Sequence, residues 1–217
     1  DKGGALYWAG ENGSLNECDF RDNYAENGGG IYYAQTALNQ TLYNCTFTSN
    51  IASQHGGAID CNAPAMRLYG IDFISNVAEY GAALCREESA TNGSGANNTF
   101  TSNHAGYGGA ALAWMKSQSI SIDTYFFYNN TAGVSGGAIY VGNGSDSCKI
   151  YNCIFEGNEI TNYTAGHGGA IEWYAKNGII ENSTFAGNKA FDGGAVYVGS
   201  KEGEINIAIK NLLIFRI

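Results

Sequence analysis

Short runs of alternating apolar and polar residues fill the chain from end to end, and Gly, Asn and Ser separate them. Three of these runs have the sequences AIYV (138–141), KIYN (149–152) and CIFE (153–156). A period of two is typical of short strands that bury one face. No long stretch has the apolar spacing of three and four residues that an amphipathic helix requires. The pattern therefore predicts an all-β protein.

Two motifs recur in phase and divide the chain into similar units. A phenylalanine recurs in steps of 26 to 30 residues and is followed three positions later by an asparagine. The phenylalanines are Phe20, Phe47, Phe73, Phe100, Phe127, Phe155 and Phe185, and Phe215 is expected to begin an eighth unit. The asparagines are Asn23, Asn50, Asn76, Asn103, Asn130, Asn158 and Asn188. Blocks related to Gly-Gly-Ala-Ile begin at residues 3, 28, 56, 81, 109, 136, 168 and 193. Such a fixed period indicates a repeat architecture.

Each unit has room for three short strands and three turns, which make one coil of a β-helix. We predict a single-stranded right-handed parallel β-helix, a solenoid of about 8 coils of 25–30 residues with three strands per coil. The phenylalanines would then stack in the interior, and the asparagines would form a hydrogen-bonded ladder at a turn. Residues 1–217 are expected to be one β-helix segment of a longer chain, because solenoids need capping units and none is recognisable.

The strand after each Gly-Gly-Ala block carries a distinctive set of outward side chains. Its outward position holds Tyr7, Tyr32, Asp60, Cys85, Ala113, Tyr140, Glu172 and Tyr197. The rings of Tyr7, Tyr32, Tyr140 and Tyr197 offer flat apolar faces and are the candidate binding surface for a sugar or a protein. The alternative interpretation is that these tyrosines only stabilise neighbouring strands by stacking.

Composition narrows the partners and the compartment. Glycine contributes 31 of 217 residues, roughly twice its ordinary share, which fits many tight turns. The net charge of −9 disfavours a nucleic-acid partner, and no apolar run approaches the roughly 18 residues of a membrane span. Six cysteines and nine glycosylation sequons favour an extracellular location. The sequon asparagines are Asn12, Asn39, Asn44, Asn92, Asn97, Asn129, Asn143, Asn162 and Asn182.

Four of the cysteines are predicted to lie close in pairs. Cys18 and Cys45 occupy the same slot in consecutive coils, and Cys61 and Cys85 lie on consecutive copies of another strand. Stacking at about 4.8 Å brings such pairs within disulfide range, although parallel side chains fit a disulfide poorly. Disulfides and a ladder of buried free thiols are both compatible with this spacing.

No arrangement of residues predicts catalysis, a cofactor or a metal site. Acid/base carboxylate pairs need separations of about 5 to 9.5 Å, whereas Asp60 and Glu172 are four coils, or about 19 Å, apart. His55, His104 and His167 have no cysteine or carboxylate at a ligand spacing. We therefore expect a protein that is not an enzyme.

The paired motif resembles the repeats of chlamydial polymorphic membrane proteins, whose signatures are Gly-Gly-Ala-(Ile/Leu/Val) and Phe-x-x-Asn. It is equally similar to the adhesin-like β-helix proteins of methanogenic archaea, for which the run NSTFAGNKAFDGGA at 182–195 is typical. The resemblance covers essentially the whole chain. It implies a surface-exposed β-helix used for attachment or for building a surface layer.

Three functions remain open. The first is an extracellular adhesin-like or structural β-helix whose partners are host or neighbour glycans or proteins, or further copies of itself. The second is a polysaccharide lyase or hydrolase, which predicts carboxylates and Arg or Lys clustered on one outer face. The third is a self-assembling filament or cell-wall building block, whose ends at Gly3-Gly4 and Leu213–Phe215 dock end to end.

Overall fold

The computed structural model describes residues 1–200 and 205–215 and shows an all-β solenoid. These residues form 30 short strands and no helix. Each strand pairs in parallel with its copies in the adjacent coils, so the sheets run along the axis of the solenoid. The parallel β-helix predicted from the repeat is confirmed.

Four sheets make up the walls of the solenoid. Sheet I follows the Gly-Gly turns and comprises Leu6–Trp8, Ile31–Tyr33, Ile59–Cys61, Leu84–Arg86, Leu112–Trp114, Ile139–Val141, Ile171–Trp173 and Val196–Val198. Sheet II comprises Ser14–Asn16, Thr41–Tyr43, Arg67–Tyr69, Ser94–Ala96, Ser121–Asp123, Lys149–Tyr151, Gly178–Glu181 and Ile207–Lys210. Sheet III carries the phenylalanines and comprises Asp19–Arg21, Thr46–Thr48, Asp72–Ile74, Thr99–Thr101, Phe126–Tyr128, Ile154–Glu156, Thr184–Ala186 and Leu213–Phe215. Sheet IV comprises Tyr24–Asn27, Ile51–His55, Val77–Tyr80, His104–Gly108, Thr131–Ala132 and Glu159–Ile160.

Sheet IV adds a fourth strand to six coils, beyond the three strands per coil that the sequence predicts. Its strands begin directly after the repeated asparagine and have two to five residues. They turn small residues such as Ala52, Ala78 and Ala105 inward, and these alanines form a small buried cluster. The alternation is short and alanine is only weakly apolar, so the sequence pattern does not mark this strand.

A column of stacked phenylalanine rings runs through the interior at sheet III. The six rings from Phe47 to Phe185 are at most 1% exposed, and Phe20 in the first coil is half-buried. Neighbouring ring centroids lie 4.6 to 5.2 Å apart in nearly parallel planes. In the last coil the residue that pairs with Phe185 is Ile214. The expectation that Phe215 begins the eighth unit is therefore wrong by one residue.

The register of that last strand follows from the preceding turn. Asn182 and Asn211 both have a left-handed backbone, with φ of 52° and 50°. Each stands three residues before the inward position of sheet III, which is occupied by Phe185 in one coil and Ile214 in the next. The corner residue thus fixes the register of this last strand, in which Ile214 and Phe215 are both exposed, at 57% and 45%.

The repeated asparagines form a ladder of hydrogen bonds where sheet III turns into sheet IV. Each side-chain oxygen after the first accepts from the backbone N–H and the side-chain amide of the asparagine one coil earlier. Each of these asparagines also donates its side-chain amide to the carbonyl of a phenylalanine in the preceding coil. The amide-to-oxygen distances along the ladder are 2.8 to 3.1 Å. The ladder thus pairs polar groups that lie away from water.

Residues with a left-handed backbone mark the corners of the coils. Gly56, for example, has a φ of 62°, and a Cβ there would lie 2.2 Å from the Ile59 carbonyl oxygen. Asparagine adopts this conformation more readily than most other residues. Seven sequon asparagines are exposed at such corners: Asn12, Asn39, Asn44, Asn92, Asn97, Asn129 and Asn182. Turn geometry therefore accounts for asparagine at these positions, and their glycosylation stays a prediction, as it does for the half-buried Asn143 and Asn162.

Candidate functional site

The outer face of sheet I is largely covered, which changes the interpretation of the four tyrosines. Tyr7 is 54% exposed, but Tyr32 and Tyr140 are only 6% and 9% exposed. Tyr197 is half-buried and packs in a small outer cluster with Tyr140 and Tyr174. The covering side chains come from the end of sheet IV and from the loops after sheet I. Tyr7, Tyr32, Tyr140 and Tyr197 therefore do not form one continuous exposed surface.

The Gly-Gly turn folds the end of sheet IV against this outer face. The residue before each turn forms a parallel column of its own, which contains Lys2, Asn27, His55, Tyr80, Gly108, Ser135, His167 and Asp192. Two coils share the sequence His-Gly-Gly-Ala-Ile followed by an acidic residue, at 55–60 and at 167–172. In both coils the histidine stands beside the outer face on which the acidic side chain lies. Sheet IV and the turn therefore create two histidine–carboxylate clusters.

Three residues of the first cluster, His55, Asp60 and Glu87, line an open cleft of about 380 Å³ near the start of the chain, and Cys85 is fully buried next to them. His55 Nδ1 is 2.7 Å from Glu87 Oε1, and the Cys85 thiol lies 3.6 Å from the same oxygen. Asp60 pairs in register with Cys85 on the neighbouring strand and is 2% exposed. Among the described residues, His55, Cys85 and Glu87 are a group whose ligand atoms all lie within 4.8 Å of one another.

Burial and neighbouring charges shift the protonation of this cluster. Burial, with the nearby Glu87 carboxylate, raises the pKa of Asp60 to about 8. The hydrogen bond to Glu87 raises the pKa of His55. Burial holds the pKa of the Cys85 thiol well above its ordinary value. The Asp60 carboxyl group and the Cys85 thiol are therefore both protonated at neutral pH when no cation is bound.

We expect Asp60→Asn to stabilise the fold at high pH. The folded-state pKa of Asp60 lies above its unfolded value, so its contribution to stability is fully present below about pH 4 and is lost as the pH rises towards 8. The asparagine has no proton to lose. Urea unfolding of both proteins at pH 5 and pH 8.5 measures the difference, and the advantage of the variant should grow with pH. A constant difference would contradict the assigned pKa.

The second cluster has a histidine and an acidic residue at the equivalent positions, His167 and Glu172, but different neighbours. Glu172 is 1% exposed, accepts a hydrogen bond from Tyr174 at 2.7 Å and lies 3.3 Å from His167 Nδ1. His167 Nε2 is 3.6 Å from Asp192, and its ring stacks on Tyr197 with centroids 4.3 Å apart. The cluster is closed by aromatic rings and provides no thiol.

The sequence-based expectation that no cysteine or carboxylate stands at a ligand spacing from a histidine is wrong for His55, and His167 also has carboxylates beside it. The signal that would have found both clusters is the histidine five residues before an outward acid, across a Gly-Gly turn. His104 differs, since it is exposed on the outer face of an inner strand of sheet IV and its Nδ1 contacts Thr131 Oγ1 at 2.9 Å. Asp60 and Glu172 themselves remain four coils apart, as predicted.

All six cysteines are free thiols, and the predicted Cys61–Cys85 pair is wrong. Cys85 pairs with Asp60, whereas Cys61 pairs with Arg86, so the two thiols face opposite sides of sheet I. Cys18 and Cys45 do neighbour each other but remain unpaired, and each donates to a nearby backbone carbonyl. Five of the thiols bond to backbone carbonyls in this way, and among the described residues the Cys85 thiol is the one that bonds to a carboxylate.

We expect one fast-reacting thiol in the native protein. Cys18 is half-buried in the first coil, while the other five cysteines are buried. A small aromatic disulfide reagent should therefore modify Cys18 within minutes and the remainder only on unfolding. Reaction kinetics combined with peptide mass spectrometry identify the modified position. Rapid native labelling of Cys85 or Cys153 would show that the sheets are not packed as described.

The repeat of the Chlamydia polymorphic membrane protein matches residues 44–62 and 125–142 of this chain. Over 141 residues the chain is 33% identical to the probable outer membrane protein pmp6 of Chlamydia pneumoniae, an alignment that covers 52% of this chain. Over 187 residues, 85% of this chain, it is 28% identical to the metabotropic glutamate receptor-like protein R of Dictyostelium discoideum. The chain spans only 11% of the length of each of these relatives. No solved structure matches it significantly.

Fold and repeat together define a parallel β-helix repeat protein. Each family match begins just before a sheet III strand and ends just after the next sheet I strand, so it covers strands of sheets III, IV and I. The two matches include the ladder residues Asn50 and Asn130. The chain contains repeats of the polymorphic membrane protein type, as its motifs predict. Within the described residues, no helix has the length and apolar character needed to cross a membrane.

Proposed function

We propose that this chain is part of an extracellular, cell-surface β-helix that serves attachment or surface assembly. The observation that carries the proposal is the occurrence of polymorphic membrane protein repeats in an uninterrupted stack of coils. The relative in Chlamydia pneumoniae bears the name of an outer membrane protein. A solenoid suits this role because it presents an extended, regular surface for its length.

The partners are glycans or proteins that cover exposed tyrosines held in place by a second, stacked ring. Tyr7 stacks on Tyr32 with ring centroids 5.4 Å apart, and Tyr43 stacks on Tyr69 at 5.5 Å. Tyr7 and Tyr43 are the more exposed members, at 54% and 43%. A ring held in place by a second ring offers a flat apolar face with little loss of side-chain entropy on binding. Self-association is the alternative use of the same rings.

A glycan array probed with the purified chain tests this proposal. We expect binding to a subset of glycans, and Tyr7→Ala or Tyr43→Ala should weaken it about fivefold to tenfold, as loss of one aromatic contact does. Phe191→Ala is the matched control, since Phe191 is a 60% exposed aromatic residue in the loop between sheets III and I near the end of the rod. Absence of glycan binding, of cell binding and of concentration-dependent association would overturn the proposal.

Location requires a separate measurement on intact cells. Antibodies against the purified chain should label unpermeabilised cells that produce the natural protein, and external protease should remove the label. Label that appears only after permeabilisation would contradict a surface location, whatever the array shows.

A polysaccharide-cleaving enzyme is the second candidate, because one cleft gathers Asp60, Glu87, His55 and Lys2. A carboxyl group whose pKa is about 8 is suited to act as a general acid. Incubation with acidic polysaccharides, followed by assay of new reducing ends and unsaturated sugars, distinguishes the candidates. The attachment proposal predicts no products, whereas the enzyme predicts products that Asp60→Asn abolishes.

A further inference from the structure

Two adjacent coils bring together three kinds of metal-binding atom at the outer face of sheet I, where His55 and Glu87 line a cleft and Cys85 is buried beside them. His55 comes from the end of a sheet IV strand, and Cys85 and Glu87 come from the next coil, from sheet I and the loop after it. Their ligand atoms lie within 4.8 Å of one another. An imidazole, a thiol and a carboxylate together match the ligands that zinc prefers and disfavour calcium or magnesium, which take oxygen ligands.

The distances in the cluster approach those of a tetrahedral zinc site. Zinc bonds of about 2.3 Å to sulfur and 2.1 Å to oxygen place those two ligands about 3.6 Å apart, and the Cys85 thiol lies 3.6 Å from Glu87 Oε1. Two nitrogen or oxygen ligands would be about 3.3 Å apart, whereas His55 Nδ1 and Glu87 Oε1 are 2.7 Å apart. Zinc entry therefore requires these two side chains to separate by only a few tenths of an ångström.

A fourth side chain supplies an independent sign of a missing ligand. Asp60 is 2% exposed, and its Oδ1 has no hydrogen-bond partner. It lies in register with Cys85 on the same face of sheet I. An isolated buried carboxylate is costly, and a bound cation removes that cost.

We propose that His55, Cys85 and Glu87 form a zinc site that links two consecutive coils of the β-helix, and that Asp60, which lies outside this group of three, moves towards the ion as a fourth ligand. Zinc binding releases the protons of the Cys85 thiol and, where protonated, of Asp60 and His55 to solvent. One thiolate, two carboxylates and Zn²⁺ then carry a net charge of −1, in place of the charges that the carboxylates would carry without a cation. Because the ligands come from adjacent coils, the free energy of binding adds to the stability of the folded rod.

The second histidine–carboxylate cluster provides an internal control. Position for position, His167 and Glu172 correspond to His55 and Asp60. The positions of Cys85 and Glu87 are taken by Tyr197 and Gly199 one coil later. This coil therefore has the histidine and the acid but neither the sulfur ligand nor the second carboxylate. We expect no zinc there.

Cobalt(II), a spectroscopic substitute for zinc, tests the site in the full chain under reducing conditions. We expect one equivalent of cobalt to give a thiolate-to-metal charge-transfer band, which zinc then displaces. Cys85→Ser should abolish the band, and His55→Ala should weaken zinc binding about a hundredfold, as measured by titration calorimetry. Cys18→Ser and His167→Ala are the matched controls and should leave both readouts unchanged.

Asp60→Asn keeps the proposal testable if other variants fold poorly, because it removes an unfavourable buried carboxyl group. It should unfold at a higher temperature than the natural chain without metal, yet bind zinc about tenfold more weakly. The proposal is overturned if the natural chain gives no charge-transfer band, if Cys85→Ser retains it, or if Cys18→Ser abolishes it. None of these readouts depends on glycan binding, so the site and the attachment function are tested separately.

Discussion

Phe100→Ala is expected to destabilise the fold by about 3–5 kcal/mol, the range for a large aromatic residue removed from a packed core. Phe100 is fully buried and stacks on Phe73 and Phe127, with ring centroids 4.7 and 5.0 Å away. Its removal leaves a cavity in the middle of the column, where neither neighbouring coil can shift without breaking its own stacking. Urea unfolding followed by circular dichroism measures the change.

The position of the cavity also predicts a change in cooperativity. Solenoid stability is approximately a sum of coil stabilities and nearest-neighbour interfaces. A weak interface at the centre should therefore broaden the transition or split it in two. Phe191→Ala is the control, since this 60% exposed ring should contribute less than about 0.5 kcal/mol. Equal effects of the two substitutions would show that the phenylalanine column is not the core.

Asn103→Ala is expected to destabilise the fold by about 2–4 kcal/mol, although it removes little apolar area. The Asn103 side-chain oxygen accepts from the backbone and the side chain of Asn76, and its amide donates to Phe73 and Asn130. Alanine at this position leaves the backbone N–H of Asn76 without its partner and removes one bond from the Phe73 carbonyl, in a place that water does not reach. Asn130 keeps its bond from the Asn103 backbone N–H. Each unpaired buried group costs about 1–3 kcal/mol.

Asn23→Ala is the matched control for this prediction. Asn23 is the first rung of the same ladder, is half-buried, and loses a single side-chain bond, to Asn50. Its substitution should destabilise the fold by less than about 1 kcal/mol, as one net hydrogen bond does. If Asn103→Ala and Asn23→Ala were equally stable in denaturant, an asparagine inside the ladder would contribute no more to stability than the first one does.

The repeated interior was predictable because in-register stacking places each repeat position on its own copy. The period alone therefore brings Phe47 next to Phe73 and Asn50 next to Asn76, without any knowledge of the turns between them. The exception, Phe215, occurs where the spacing of the last coil and the phenylalanine motif disagree. There the corner residue Asn211, and not the aromatic side chain, fixes the register.

The candidate site was less predictable because it depends on contacts that the repeat does not encode. Cys61 and Cys85 occupy different positions relative to their Gly-Gly turns, so motif spacing and not cysteine spacing determines which face each thiol takes. Glu87 belongs to a loop whose length varies from coil to coil. Burial of Tyr32 and Tyr140 follows from sheet IV and these loops, which the alternation of apolar residues does not reveal.

An experimental structure of the chain at atomic resolution tests the stacking of coils most directly. We predict that the rings of Phe47, Phe73, Phe100, Phe127, Phe155 and Phe185 lie inside the rod, each about 5 Å from the next, with the asparagine amides bonded from coil to coil. Electron density that placed these rings in solvent, or out of line with one another, would contradict the β-helix and every proposal built on it.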